Sequence, residues 1–289
     1  MTGYREENKL IMDKNAPIGV FDSGVGGLTV AREIMRQIPN ERIVYFGDTA
    51  RVPYGSKSKD NIIKFSRQII RFLQTENVKA IVIACNTASA LALDEMQQEF
   101  DLPILGVVKP GAKVAVETTA NKRIGLIGTE ANIRSGVYTR YIKSLDDEAK
   151  VFEKACPLFV PLVEEGWLHD DITLQVASRY LEELKEKDID TLIMGCTHYP
   201  LIRSTIRKVM GDKVNLVNPA YETAIELKNL LERDNLANKC DVDSPSSMYR
   251  FYVSDAEEKF KLFANSILPF DITMTKQINI ECLFVVYDM

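Results

Sequence analysis

The sequence predicts an α/β protein of mostly parallel sheets flanked by helices, and three observations carry that expectation. Short apolar runs alternate with amphipathic stretches, which is the signature of βαβ units. The apolar runs are nearly continuous rather than alternating, as expected of strands covered on both faces. The pattern also restarts partway along the chain, with "RIGLIGTEA" echoing "PIGVFDSGV" and "TLIMGCTHYP" echoing "AIVIACNTAS". A degenerate internal duplication explains that echo; two βα units of the same type resembling each other by chance is the alternative.

Taken in order, "PIGVFDSG" reads as a strand followed by a helix over residues 28–38. "RIVYFGD" is followed by a helix over 60–76, where Ile62, Phe65, Ile69, Phe72 and Leu73 form one apolar stripe at a 3.6-residue period. "AIVIAC" leads into 87–99 and "PILGVV" into 110–119. "CPLFVPLVEEGW", residues 156–167, reads as the end of a strand with Glu164 and Glu165 on a loop or helix start. Pro-marked stretches "VVKPGAK" and "LVNPAYE" are where the chain is expected to cross between halves. The last stretch, "MYRFYVSD" with a helix and a strand, is too small to stand alone and is expected to return to the first half.

At 289 residues, 46% hydrophobic and 27% charged, the composition is that of an ordinary globular protein, and no apolar run approaches the length of a membrane span. The opening residues 1–16 lack the apolar centre of a secretory signal and read as a short extension, which points to the cytoplasm. Thirty-six Lys and Arg against forty-one Asp and Glu give a net charge of -5, with the basic residues scattered, so nucleic acid is not the expected partner. Cysteines at 85, 156, 196, 240 and 282 include no close pair, which argues against a disulfide framework or a zinc knuckle.

Two of these cysteines stand out. Cys85 and Cys196 each end an apolar strand and are followed at once by polar residues, Asn86-Thr87 and Thr197-His198. A helix starting there presents unpaired N–H groups and a positive dipole end, which favours thiolate over thiol. Pro200 suits the first turn of such a helix after Cys196. A buried cysteine is also a common small hydrophobe, and that reading serves Cys156, Cys240 and Cys282. The glycines of "FDSGVGGLTV" could turn the chain to aim N–H groups at an anion, or simply form a tight turn with Asp22 or Ser23 as a helix cap. "YFGDTARVPYGSKS" places Asp48, Tyr54 and Gly55 on a loop at the rim of the sheet, as pocket lining or as surface turn. His198 with Cys85, Cys196 and Asp22 has no local ligand pair, so no metal is expected.

In this order the segments "GVFDSGVGGLTV", "VYFGDTARVPYG", "ACNTASA", "IGLIGTEA", "CPLFVPLVEEG" and "GCTHYPL" resemble the glutamate racemase family, from about Pro17 to Asn218; residues 219–289 match only in general character. The resemblance implies two pseudo-symmetric α/β lobes facing across a cleft: 17–109 plus 219–289 as the first and 110–218 as the second. It implies catalysis by Cys85 and Cys196 without a cofactor, a substrate site of Asp22, Ser23, Tyr54, Gly55, Asn86, Thr87, Thr129, Thr197 and His198, and support of the thiols by Asp48 and Glu164. A homodimer that supplies D-glutamate for peptidoglycan is implied as well. Where the family has a second threonine after "IGTEA", this chain has Asn132, and the expected consequence is an amide contact to a substrate carboxylate in place of a hydroxyl. An aspartate racemase or related two-cysteine enzyme, a non-catalytic two-lobed amino-acid-binding protein and a zinc hydrolase are the competing readings.

Overall fold

The computed structural model describes residues 13–239, 248–272 and 274–283. The expected N-terminal extension therefore lies outside the described residues except for 13–16, as does Cys240. Strands β1 (Ile18–Asp22), β2 (Ile43–Gly47), β3 (Ala80–Ile83), β4 (Ile104–Gly106), β9 (Tyr249–Val253) and β10 (Thr275–Gln277) form one parallel sheet in the order β10-β9-β2-β1-β3-β4. A second parallel sheet holds β5 (Arg123–Gly128), β6 (Lys150–Ala155), β7 (Thr191–Gly195) and β8 (Asn215–Val217) in the order β6-β5-β7-β8.

The order 2-1-3-4 thus recurs as 6-5-7-8, the topological counterpart of the echo between the two sequence halves. Registers agree as well, since Ile18 pairs with Ala80 and Ile124 with Thr191. Each of Cys85 and Cys196 follows the strand beside the central one, at the carboxyl end where α/β proteins bind ligands.

The helices are α1 (Leu28–Gln37), α2 (Lys59–Thr75), α3 (Asn86–Glu99), α4 (Val108–Thr118), α5 (Glu130–Ser135), α6 (Val137–Leu145), α7 (Phe159–Glu164), α8 (Asp171–Lys185), α9 (Arg203–Met210) and α10 (Pro219–Arg233). Local chemistry accounts for their starts: the Ser58 hydroxyl caps α2, Thr129 caps α5, and Asn218 caps α10 ahead of Pro219, whose ring fits a first turn. Ile18 and Val20 pack into one core and Phe21, Ile81 and Ile83 into another across the same sheet, so that both faces are covered and the strands read as unbroken apolar runs. Two further cores flank the second sheet in the same way.

Two expectations change. Residues 156–167 hold α7 rather than the end of a strand, because Pro161 sits in the helix's first turn, where its missing N–H costs nothing. The expected crossing at 109/110 falls inside α4, which tolerates Pro110 near its start for the same reason. The stretch "MYRFYVSD" contributes β9, which pairs with β2 and is followed by the helix Glu257–Ile267. No described helix is long and apolar enough to cross a membrane.

One buried ion pair ties the chain's distant segments to the first sheet. Lys79, wholly buried, meets Glu41 at 2.5 Å and donates to the carbonyls of Lys14 (2.5 Å) and Leu236 (2.9 Å), while Glu41 Oε1 accepts from the Asn238 N–H at 2.8 Å. Removing one partner strands a buried charge, whereas removing both does not. Lys79→Met is expected to destabilise by about 3–5 kcal/mol in urea titration. The double variant Lys79→Met/Glu41→Leu should recover most of that loss, and a double variant as unstable as the single one would contradict the account.

Candidate active site

Loops from the carboxyl ends of both sheets close over a cavity of about 60 Å³. Every residue expected at the site lines it except Asn132 and, behind the wall, Asp22 and Asp48. The volume is small beside the ~300 Å³ at the lower end of ordinary ligand sites. The two halves are therefore closed on one another here. A cavity of about 630 Å³ shares Gly24, Val52 and Glu164 with it, so movement of those residues would join the two spaces.

From the first half, β3 delivers Cys85 to the N-cap of the fourteen-residue helix α3. Its Sγ lies 3.6 Å from Ser23 Oγ. Asn86 Oδ1 accepts from the buried Tyr138 hydroxyl at 2.7 Å, an arrangement that leaves the amide NH2 of Asn86 free as a donor. Thr87 and Thr129 meet across the halves with their hydroxyls 3.1 Å apart. Tyr54 donates to Asp48, whose oxygens also take Arg51 Nε (2.7 and 3.0 Å) and the Ser254 hydroxyl (2.9 Å). Asp48 thus holds the pocket rim through Tyr54.

The glycine loop is a tight turn on Asp22, whose Oδ2 accepts from the Gly24 N–H at 3.0 Å, and it has a further use. A methyl group at Gly26 would collide with Thr197 Oγ1 and the His198 ring, and one at Gly27 with the Asp22 side chain. Gly26 permits close approach between the halves, and Gly27 lets its own loop fold onto Asp22 and Tyr45.

From the second half, β7 delivers Cys196, but no α-helix starts beside it. A short 3-10 turn, Tyr199–Ile202, accommodates Pro200 and postpones α9 to Arg203. Instead Cys196 Sγ stands 3.8 Å from His198 Nδ1, and His198 Nε2 stands 3.1 Å from Glu164 Oε1 at the end of α7. His169 sits apart from the pocket, 3.4 Å from the Ser204 hydroxyl.

The electrostatics divide the two cysteines. Burial pushes the Cys85 thiol up to about 12, aided by the neighbouring Asp22 charge; the Ala88 N–H and the Ser23 hydroxyl pull it down but lose. The helix N-terminus acts in the expected direction and is outweighed. Asp22 itself is raised by burial, against the His198 charge and the N–H groups of Gly27, Gly24 and Ser23. Burial alone would lower His198, yet its contacts with Cys196 and Glu164 and the nearby Asp22 charge raise it to about 10. Glu164 is held below the usual carboxylate range by that same hydrogen bond, against its burial. The imidazole is therefore cationic at neutral pH, with one donor toward Cys196 and the other toward Glu164.

Sequence reasoning missed Tyr138, Val52 and Val160, the first behind the wall and the others in it. No local signal marks them, since each reaches the site only through packing of the two halves. Asn132 was expected to face a substrate carboxylate, but it is 1% exposed, lies outside the cavity lining and donates from Nδ2 to the Gly195 carbonyl at 2.8 Å. Among the described residues, no group of three or more His, Cys, Asp or Glu is placed to hold a metal ion.

Known proteins share this arrangement over most of the chain. Residues 18–225 match the Asp/Glu/Hydantoin racemase family. A glutamate racemase of Geobacter metallireducens is 44% identical over 264 residues, covering 91% of this chain and 97% of that one. The crystal structure of a glutamate racemase isoform from Bacillus anthracis superposes with a TM-score of 0.87 at 39% identity, covering 92% and 98% of the two chains. That of Francisella tularensis glutamate racemase in complex with D-glutamate gives 0.86 at 38% identity, covering 93% and 99%. With two cysteines converging on one closed cavity between duplicated sheets, and with these relatives, the chain belongs to the Asp/Glu/Hydantoin racemase family.

Proposed function

We propose that this enzyme interconverts L- and D-glutamate by proton transfer at the α-carbon between Cys85 and Cys196, without a cofactor. The observation that carries the reading is the convergence of the two cysteines, one from each sheet, on the same buried cavity. Inversion needs a proton taken from one face of the α-carbon and another delivered to the opposite face. Cys196, beside the cationic His198, is the sulfur suited to hold negative charge and accept the α-proton. Cys85, whose thiol keeps its proton, supplies one to the other face, and the reverse reaction exchanges the roles. The electron pair left on the α-carbon delocalises into the substrate carboxylate, where the Asn86 amide and the hydroxyls of Ser23, Thr87 and Thr129 are placed as preorganised donors. Substrate enters only when the halves part, and closure then excludes water.

The lobe division at 17–109 plus 219–289 against 110–218 is supported by strand membership, since each sheet draws its strands from one set alone. Operation in the cytoplasm, where D-glutamate serves peptidoglycan synthesis, and association as a homodimer belong to the same proposal. An exposed apolar patch of Leu158, Trp167 and Ile172 supports self-association.

Cys85→Ala and Cys196→Ala are each expected to lower racemisation by about 10²–10⁴-fold, followed by circular dichroism of glutamate. Near-wild-type inversion in either variant would remove the two-base account, and a preference for aspartate over glutamate would move the substrate assignment. Deuterium exchange at the α-carbon in heavy water excludes a protein that merely binds.

The charge network sets a pH dependence. His198, raised above its ordinary 6.5, contributes stability that is complete below that value and lost as pH rises through about 10. Glu164, lowered from 4.5, contributes above that value and loses its contribution as pH falls. The melting-temperature gap between wild type and His198→Gln should therefore be widest near pH 5–6.5 and close above pH 10. Sedimentation velocity tests assembly, with Trp167→Glu expected to shift a dimer toward monomer.

A further inference from the structure

The backbone around the two cysteines is held by different means, and the difference singles out two residues to which no role has been given. Cys85 is secured by ordinary backbone bonds: the Ala84 N–H donates to Phe21 and the Cys85 carbonyl accepts from Ser89, both at 2.8 Å. Cys196 has a matching bond, its carbonyl accepting from the Tyr199 N–H at 3.1 Å, but the carbonyls on either side of it are in addition taken by buried side chains. Asn132 Nδ2 donates to the Gly195 carbonyl at 2.8 Å, and Thr29 Oγ1 donates to the Thr197 carbonyl at 2.9 Å. Asn132 comes from α5 in the same half, and Thr29 from α1 in the facing half.

Both contacts are built in. Thr29 and Asn132 are each 1% exposed. The Asn132 amide nests between Gly128 and Gly195, which pair in register at the ends of β5 and β7; a Cβ at either would come within 3.0 or 3.1 Å of Nδ2. Asn132 Oδ1 is buried without a partner, a cost the fold bears to keep the NH2 aimed at Gly195. Thr29 Oγ1 lies equally 2.9 Å from the Gly26 carbonyl, so its one proton is shared between Thr197 and the loop that packs on Thr197 and His198. A planar peptide cannot turn about its C–N bond, so fixing the carbonyls at 195 and 197 fixes the orientation of the peptide planes that flank Cys196.

We propose that Thr29 and Asn132 are positioning residues that clamp Cys196 from its two flanking carbonyls, one from each half of the molecule. Because the Thr29 clamp spans the halves, closure and the placement of Cys196 are one event. The inference rests on the acid/base role proposed for Cys196, but its effect on the thiol's reactivity can be read without that role.

The test uses the full chain with Thr29→Val, Thr29→Ser and Asn132→Leu. Each is measured for racemisation kinetics, for melting temperature, and for site-resolved iodoacetamide alkylation of Cys85 and Cys196 by mass spectrometry. Thr29→Val and Asn132→Leu are expected to lower kcat roughly tenfold or more while KM changes by less than about threefold, as for misplacement of a catalytic group. The ratio of Cys196 to Cys85 alkylation should change severalfold, and Thr29→Ser, which keeps the donor, should restore both readouts. Asn132→Leu should melt below wild type, since it strands the Gly195 carbonyl, so its kinetics and alkylation are read well below its melting temperature. An unchanged alkylation ratio in both variants, a parallel change at both cysteines, or a Thr29→Ser protein that stays folded yet behaves as Thr29→Val would each overturn the clamp. Failure of the racemase reading would show differently, as an absence of inversion in wild type while the alkylation ratio still responds to the variants.

Discussion

The close packing of Gly26 against Thr197 and His198 is the constraint on which the rest of the site depends. It brings a loop of the first half into van der Waals contact with the residues that follow Cys196, and a single added methyl group would prevent it. With the halves this close, Thr29 reaches the Thr197 carbonyl and Thr87 reaches Thr129. Parting the halves would take the Thr29 hydroxyl from the Thr197 carbonyl, leaving it Gly26 of its own loop, and the Thr87 hydroxyl from Thr129, so closure and these contacts are linked.

The same closeness makes the two thiols unequal. Water is excluded from both, and exclusion alone penalises charge on either sulfur. Cys85 has the buried Asp22 beside it and keeps its proton; Cys196 has a histidine whose charge is sustained by Glu164 from the end of α7. The two sulfurs thus start beside different neighbours, one a buried carboxylate and the other a histidine held by Glu164. The asymmetry arises from partners that differ between halves whose strand order is the same.

Asp48 shows how a residue can serve the pocket without facing it. Its carboxylate gathers Tyr54, Arg51 and Ser254, and the Arg51 guanidinium lies 4.1 Å over the Phe65 ring, which itself packs beside Tyr54. The residue after strand β9 is Ser254, so the returning part of the chain stiffens the loop that forms the rim. A buried carboxylate with this many donors loses little by being desolvated and makes a rigid support.

The sequence by itself determined the α/β class, the duplicated strand pattern and the two cysteines, because strand periodicity and the polar break after each apolar run are local properties of the chain. It also marked Tyr54 and Thr87 for the rim by their place at the carboxyl ends of parallel strands, while Ser23 and Thr129 are singled out through the family resemblance. Only the tertiary structure decided that Gly26 serves contact between halves, that Asn132 turns to Gly195, that Tyr138 orients Asn86, and that Cys85 is pushed up instead of down. Each of those depends on what lies across the interface or on how much water is excluded, and neither depth of burial nor an opposing half is encoded in the neighbours along the chain.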